Sequence, residues 1–262
     1  MMLIAWLIIA VAVQQSAPVV PAASQSVDDV LAAVSRNVKD FQDLLPDFVC
    51  DEKITSTAYE SGKIKDTKMV DSVFTALQKP SPGPRNGLLA FTETRDIFAI
   101  DTRPVPKGTK MPGLPLAMFG GFSALLSMTF SPQNLAYHKY ELEHADDRGR
   151  LVIHFATKEN QLQLRTYLNG EALINKDSGT AWIDTASMQV ARLERNFLSL
   201  PHAFRQLRNT VEYSPTNFGD RQFWLPRSMR TDVTDRDAKK TKSFLAEYSN
   251  CKRFTTDIKI VP

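Results

Sequence analysis

The stretch DFVCDEKITSTAYESGKIKDTKMVDSVFTALQK, residues 47–79, decides the fold class of this chain. Apolar and polar residues alternate in it with a period of two, and Val70 and Phe74, for example, share one face. Near its middle, Ser61-Gly62 is a pair typical of a tight turn between strands. The stretch therefore predicts two long antiparallel strands, one on each side of this turn.

The same period of two recurs along most of the rest of the chain. Turn residues separate the segments, and from residue 136 onward no helical pattern intervenes, which favours an antiparallel sheet. The clear alternation indicates that one face of the sheet is buried and the other is wet. Strands are predicted at about 47–60, 66–79, 87–101, 137–142, 151–155, 162–168, 179–185, 188–199, 206–214, 221–233 and 241–250.

A helix is predicted ahead of the first strand. Ser26 has the character of an N-cap, and Asp28 and Asp29 place acidic side chains in the first turn. Apolar residues then recur at helical spacing as far as Leu45, and Pro46 ends the pattern. This amphipathic helix of about 18 residues must cover an apolar surface.

One segment breaks the strand pattern, because residues 111–137 contain no charged side chain. Its length would allow a transmembrane helix, but Pro112, Pro115 and the pair Gly120-Gly121 make it a poor one. The better prediction is a short helix at about 118–129 that lies on the sheet.

The N-terminal residues have the pattern of a secretory signal peptide. The apolar run Leu3–Val13 is too short to span a bilayer, and small residues follow it. The alternative is a buried N-terminal strand or helix. We expect residues 1–25 to be a signal peptide and spacer, residues 26–262 to form a single domain, and the protein to be periplasmic or secreted.

Two cysteines, Cys50 and Cys251, lie near opposite ends of the expected mature chain. An exported protein can pair them in a disulfide, whereas a reducing compartment would leave two free thiols. The residues alone leave both states open, although export favours the disulfide.

Charge and motifs exclude several classes of function. A net charge of +3 gives no argument for nucleic acid as a partner, and no metal or cofactor motif occurs. Asp177-Ser-Gly-Thr180 has the residue types of an aspartic protease loop, but that chemistry needs a second loop, which is missing. We therefore predict a turn that opens a strand at Thr180 and no enzyme activity, with a hydrolase that uses Asp177 or a serine as a remote alternative.

Several segments resemble the periplasmic outer-membrane lipoprotein-carrier family and exported bacterial proteins of the same fold, over about residues 27–255. The resemblance implies an α+β fold in which a long, curved antiparallel sheet forms a half-barrel. The N-terminal helix and an apolar lid helix would cover its concave face. The segments that carry the resemblance are Asp47–Glu52, Gly179–Asp184, Val190–Glu194, Val211–Tyr213, Trp224–Pro226 and Tyr248–Phe254.

The resemblance also implies an apolar site that binds an acyl chain, a lipid or a lipidated protein between the sheet and the lid helix. Met and Phe side chains suit such an adaptable pocket. The alternative is an envelope interaction or structural module in which the same side chains fill the half-barrel. A transient contact of residues 111–137 with a membrane is also left open. The expected lining consists of Met118, Phe119, Phe122, Leu125, Leu126, Met128 and Phe130.

Overall fold

The computed structural model describes residues 26–78, 91–118, 120–143, 146–161, 165–168, 171–174 and 176–254. The expected signal peptide and spacer, residues 1–25, and the expected lid residue Phe119 lie outside these ranges.

The predicted N-terminal helix is α1, Val27–Leu44. The Ser26 hydroxyl accepts a hydrogen bond from the backbone N–H of Asp29 at 3.2 Å, as expected of an N-cap. The buried stripe of α1 includes Val30, Val34 and Phe41, and it joins the core of the molecule. The alternation of apolar and polar residues with the helical period therefore located this element correctly.

Thirteen strands are described, and eleven of them form one antiparallel sheet that curves without closing. The prediction of an α+β half-barrel is therefore confirmed. The spatial order of the large sheet is β4-β3-β2-β1-β13-β12-β11-β10-β9-β6-β5, and β7 pairs with β8 in a separate small sheet. The strands are β1 Phe48–Glu60, β2 Lys63–Gln78, β3 Phe91–Ile100, β4 Arg103–Pro104, β5 His138–Glu143, β6 Leu151–Thr157, β7 Arg165–Leu168, β8 Glu171–Ile174, β9 Asp177–Ile183, β10 Val190–Phe197, β11 Phe204–Phe218, β12 Arg221–Asp235 and β13 Lys240–Arg253.

Side chains of the large sheet alternate between a buried concave face and a wetter convex face. In β1, Phe48, Cys50, Glu52 and Ile54 are buried, while the residues between them are at least partly exposed. This is the pattern expected of a sheet that is covered on one side. Because the core lies on the concave face, the elements that cover this face determine whether the interior is filled by the chain or can hold a ligand.

The lid helix α2 comprises Gly121–Phe130 and lies in the interior. It begins three residues later than the predicted 118–129, because Gly120 has a left-handed backbone with φ of 76°, which a helix cannot contain. Helix α1 contacts both α2 and β5, and α2 contacts β12. The two helices therefore cover the concave face together.

One strand boundary corrects the sequence prediction. Asp177 is the first residue of β9 and does not lie in a turn that precedes Thr180. Gly179 is needed inside this strand, since a Cβ there would collide with the backbone carbonyl of Glu194 and with the ring of Phe155. The Asp-Ser-Gly-Thr sequence is thus explained by strand packing.

The first and last long strands, β1 and β13, are neighbours near the middle of the sheet. Cys50 and Cys251 form a disulfide between them, with Cα atoms 4.1 Å apart and 201 positions apart in sequence. The pairing favoured by export is therefore confirmed. The bond therefore links the first and last strands of the described chain.

We predict that the variant Cys50→Ala/Cys251→Ala keeps its fold but loses about 3–5 kcal/mol of unfolding free energy, because a long loop in the unfolded chain is no longer closed. Urea denaturation followed by circular dichroism measures the loss. A reducing agent should weaken the wild type to the level of the variant and leave the variant unchanged. If the wild type and the variant are equally stable without a reducing agent, the disulfide contributes nothing to stability.

Candidate functional site

Helix α2 packs against β2 at its start and against β6 at its end, and most of its described side chains are buried. Phe122, Leu125, Leu126, Met128 and Phe130 are each at most 5% exposed. An uncharged helix whose side chains are mostly buried is expected where protein or lipid surrounds it. Of the other predicted lining residues, Met118 is half-buried against the core, and Phe119 lies outside the described residues.

Aromatic rings surround the start of this helix. The ring centroid of Phe122 lies 5.5 Å from that of Phe48, 5.2 Å from that of Phe74 and 5.0 Å from that of Tyr248. Such separations are those of well-packed aromatic pairs. The first turn of α2 is therefore seated among side chains of β1, β2 and β13.

Polar contacts hold α2 at its beginning and along its second half. The backbone N–H of Gly120 donates to a carboxylate oxygen of Glu93 at 3.0 Å. Gln42 on α1 donates to the Ser127 hydroxyl at 3.1 Å, and the Tyr140 hydroxyl donates to the Thr129 carbonyl at 2.5 Å. These contacts join the helix to β3, to α1 and to β5, and each involves a group that water could also satisfy.

The segment that leads into α2 is attached to β1 through one side chain. The Ser56 hydroxyl donates to the carbonyl of Leu116 at 2.8 Å and accepts from its N–H at 2.9 Å. Ser56 is fully buried, so this pair of hydrogen bonds fixes the path of the chain where it enters the interior.

A buried ionic cluster lies beneath the far end of α2. Asp177 on β9 accepts hydrogen bonds from Arg195 on β10 and from Thr157, and His138 Nε2 lies 3.0 Å from its Oδ1 atom. The Asp177 and Arg195 side chains are fully buried. Arg195 also lies 3.4 Å from the sulfur of Met128, which links the cluster to the lid.

The ionisation of this cluster follows from its geometry. Burial by itself would raise the pKa of Asp177, but the charge of Arg195 and the hydrogen bonds from His138 and Thr157 outweigh burial and lower that pKa to about 2. Burial raises the pKa of Tyr140, and the Asp177 charge adds to the effect. The carboxylate is thus ionised at neutral pH and is held by its neighbours, which suits a structural role better than proton transfer.

A second buried carboxylate lies near the other end of the lid. Glu52 accepts from Arg95 Nε at 2.8 Å and from the Ser72 hydroxyl at 2.7 Å, and Arg95 lies over the ring of Phe74. Arg95 also lies 3.5 Å from Glu93, the residue that receives the Gly120 N–H. The start of the lid helix is therefore connected to a charged network on β1, β2 and β3.

A groove of about 610 Å³ lies on the convex side of the sheet, away from α2. Its lining includes Asp51, Asp71 and Glu247, together with Arg227 and the exposed ring of Phe98. Charges of both signs rim the groove, so its electrostatics select no simple ion.

Among the residues that the structure describes, no group of three or more His, Cys, Asp or Glu side chains could hold a metal ion. Within the same ranges, no helix is long and apolar enough to cross a membrane.

The sequence analysis missed both buried ionic networks. His138 and Asp177 are 39 positions apart, and Glu52 and Arg95 are 43 apart, so no local motif connects them. The one signal available in the sequence was the alternation of buried and exposed positions along each strand. Asp177 and Arg195 fall on the buried side of β9 and β10, where an apolar residue is expected.

The fold and interior define a class of protein: an open antiparallel half-barrel whose concave face is covered by an amphipathic helix and an apolar lid helix. No family model matches the chain, and no curated protein matches it.

Solved structures similar to this chain include three bacterial proteins. One is a DUF1329 family protein from Desulfovibrio piger, with 11% identity and a TM-score of 0.41, covering 90% of this chain and 95% of that one. Another is an outer membrane lipoprotein-sorting protein domain from Vibrio parahaemolyticus, with 12% identity, coverage of 88% and 94%, and a TM-score of 0.41. A third is a LolA superfamily protein from Nitrosomonas europaea, with 11% identity, coverage of 86% and 94%, and a TM-score of 0.34. The likeness to these three structures concerns the fold alone.

We predict that Asp177→Asn loses about 3–5 kcal/mol of unfolding free energy at neutral pH, because Arg195 then keeps a buried charge without its counter-charge. Chemical denaturation measures the difference. Asp220→Asn, in an exposed turn, is the matched control and should be as stable as the wild type. An undiminished stability of Asp177→Asn would contradict the structural role of the cluster.

The same cluster predicts a pH dependence. The pKa of Asp177 falls from 3.8 to about 2 on folding, so its ionised form favours the folded state. This contribution is complete above about pH 5 and is lost as the pH falls from about 4 to about 2. Over that interval the wild type should lose more stability than Asp177→Asn. If the unfolding free energies of the two proteins fall by the same amount over that pH interval, the protonation of Asp177 is not linked to folding.

Proposed function

We propose that this protein is an exported, non-enzymatic carrier that binds an acyl chain, of a lipid or of a lipidated protein, between the concave face of the sheet and helix α2. The observation that carries the proposal is that α2 is uncharged and faces apolar side chains inside a sheet that does not close. An acyl chain offers the same kind of contact as the α2 side chains, so it can replace them without exposing the concave face to water.

The attachments of α2 suggest how ligand enters. The helix follows Gly120, whose left-handed backbone marks a sharp change of chain direction, and Pro112 and Pro115 stiffen the segment before it. The Gly120–Glu93 and Gln42–Ser127 hydrogen bonds break when α2 moves as a unit, and water can replace them. On binding, the acyl chain then takes the place of the α2 side chains in the interior of the half-barrel.

The disulfide agrees with a location outside the cytoplasm. Cys50–Cys251 is a bond that persists in the periplasm or in secreted proteins. In that setting, the substrates that fit an apolar interior are the lipids and acylated proteins of the envelope. The low net charge of +3 favours neither a nucleic acid nor permanent attachment to an anionic membrane surface.

A second function has one specific observation in its favour. The rings around Phe122 are packed closely, as in a core that is permanently filled. In that case the protein is an interaction module of the envelope, α2 is a fixed part of its core, and partners bind on the outer surface.

Ligand binding distinguishes the two functions directly. We expect native mass spectrometry after gentle purification to show lipid bound to the wild type. We also expect a fluorescent fatty acid and the neutral apolar dye N-phenyl-1-naphthylamine to bind once per chain. If no lipid co-purifies and neither probe binds, the interior is a filled core and the carrier function is wrong.

The variant Leu125→Asp tests whether α2 can leave its site. Leu125 is 2% exposed, so in a permanent core its replacement by a carboxylate would unfold the protein. In a carrier, α2 moves out and the sheet persists. We expect a strand-rich circular dichroism spectrum, cooperative unfolding and a loss of probe binding. Leu198→Asp, at a position that is 60% exposed, is the control and should bind the probes as the wild type does.

A further inference from the structure

A row of polar residues crosses the concave face beneath α2. The strand registers place Arg195 opposite Asn209, Asn209 opposite Thr231, and Thr231 opposite Phe244. Residues that are directly opposite across antiparallel strands have side chains on the same face. Asn209 and Thr231 are each 1% exposed, so the middle of the row is shielded from solvent.

Contacts at both ends of this row connect it to the lid. Arg195 lies 3.4 Å from the Met128 sulfur on α2. At the other end, Phe244 pairs with Ser56, whose hydroxyl holds Leu116 in the segment that leads into α2. The row thus runs beneath the part of the interior in which an acyl chain would lie.

The polar side chains in the middle of the row have no hydrogen-bond partners within the described part of the chain. There, both polar atoms of the Asn209 amide and the Thr231 hydroxyl are unpaired, and so is the hydroxyl of Tyr213, which lies on the same buried face of β11. Buried polar atoms in native proteins are nearly always paired, and each unpaired one costs stability. Asn209 on β11 and Thr231 on the neighbouring strand β12 lie directly opposite each other, so their unpaired atoms form a single patch.

We propose that Asn209 and Thr231, with Tyr213 farther along the same face of β11, form a hydrogen-bonding subsite for the uncharged polar group of an amphiphile whose acyl chain lies beneath α2. The inference rests on the proposed carrier function and names the chemistry of its ligand. The amide and the hydroxyls both donate and accept, so they match a group with carbonyl and hydroxyl oxygens, such as a glycerol ester.

The charges near the row disfavour an anionic head group relative to an uncharged one. Arg195 is the cation of the row, and Asp177 already neutralises it. A fatty acid carboxylate placed at Asn209 would be removed from water without a counter-charge, which is costly. An ester or a hydroxyl pays no such penalty and satisfies the unpaired atoms.

The test compares ligands that share a chain and differ in the head group. Displacement of N-phenyl-1-naphthylamine from the wild type by monoolein and by oleate gives the two affinities. We expect monoolein to bind more tightly. In Asn209→Leu/Thr231→Val the dye should bind as before, while monoolein should bind about 10- to 100-fold more weakly because its polar group meets only apolar side chains.

Two controls keep the result interpretable. Thr210→Val/Asn217→Leu changes the same residue types at a partly exposed and an exposed position of β11 and should bind both ligands as the wild type does. Without ligand, the double variant at Asn209 and Thr231 should resist urea at least as well as the wild type, because it removes unpaired buried atoms. If it does not fold, Thr231→Val, which preserves shape, replaces it in the comparison.

The outcomes separate the subsite from the carrier function. If the double variant binds monoolein as the wild type does, or if oleate binds more tightly than monoolein, the subsite is wrong and the carrier function stands. Either of these two results would identify the row as a site for ordered water alone. If neither the dye nor either lipid binds the wild type, both proposals are wrong.

Discussion

The structure depends on one constraint: the apolar concave face of a curved sheet that does not close must be covered by the chain itself. A closed barrel fills its own interior, but here β4 and β5 end the sheet without meeting. Two helices provide the cover, and they differ in kind. Helix α1 is amphipathic and presents a wet face to solvent, whereas most of the described side chains of α2 are buried. Only the second resembles a ligand in its chemistry, because it carries no charge and contributes mainly apolar surface to the interior.

Polar groups inside the half-barrel are of two kinds, and the difference is informative. Asp177 and Arg195 satisfy each other, and so do Glu52 and Arg95, so these pairs can persist in a dry interior. They join β9 to β10 and β1 to β3, which gives the curved sheet specific side-chain links in addition to its backbone ladder. By contrast, the side-chain polar atoms of Asn209 and Thr231 have no hydrogen-bond partner in the part of the chain that the structure describes.

The sequence predicts the fold better than it predicts the interior. Alternation with a period of two located the long strands, and the capping pattern at Ser26 located α1, because both signals are local. Their spatial order was not readable, since β1 lies beside β13 through contacts between residues about 200 positions apart. For the same reason the ionic pairs were missed. The lid helix was placed from its lack of charge, and its start was displaced only because Gly120 adopts a left-handed backbone.

The contrast between paired and unpaired polar groups bears on whether the interior is a finished core. Selection for stability alone would favour Leu and Val at positions 209 and 231, since an apolar residue of similar shape removes the cost of unpaired atoms. A chain that builds complete hydrogen-bond sets around Asp177 and Glu52 has the means to satisfy buried groups on the same face. The proposed amphiphile supplies the partners that Asn209 and Thr231 lack among the described residues. A half-barrel with a removable apolar filling and a polar row beneath it is suited to an amphiphile, because the filling accommodates the acyl chain and the row accommodates the head group.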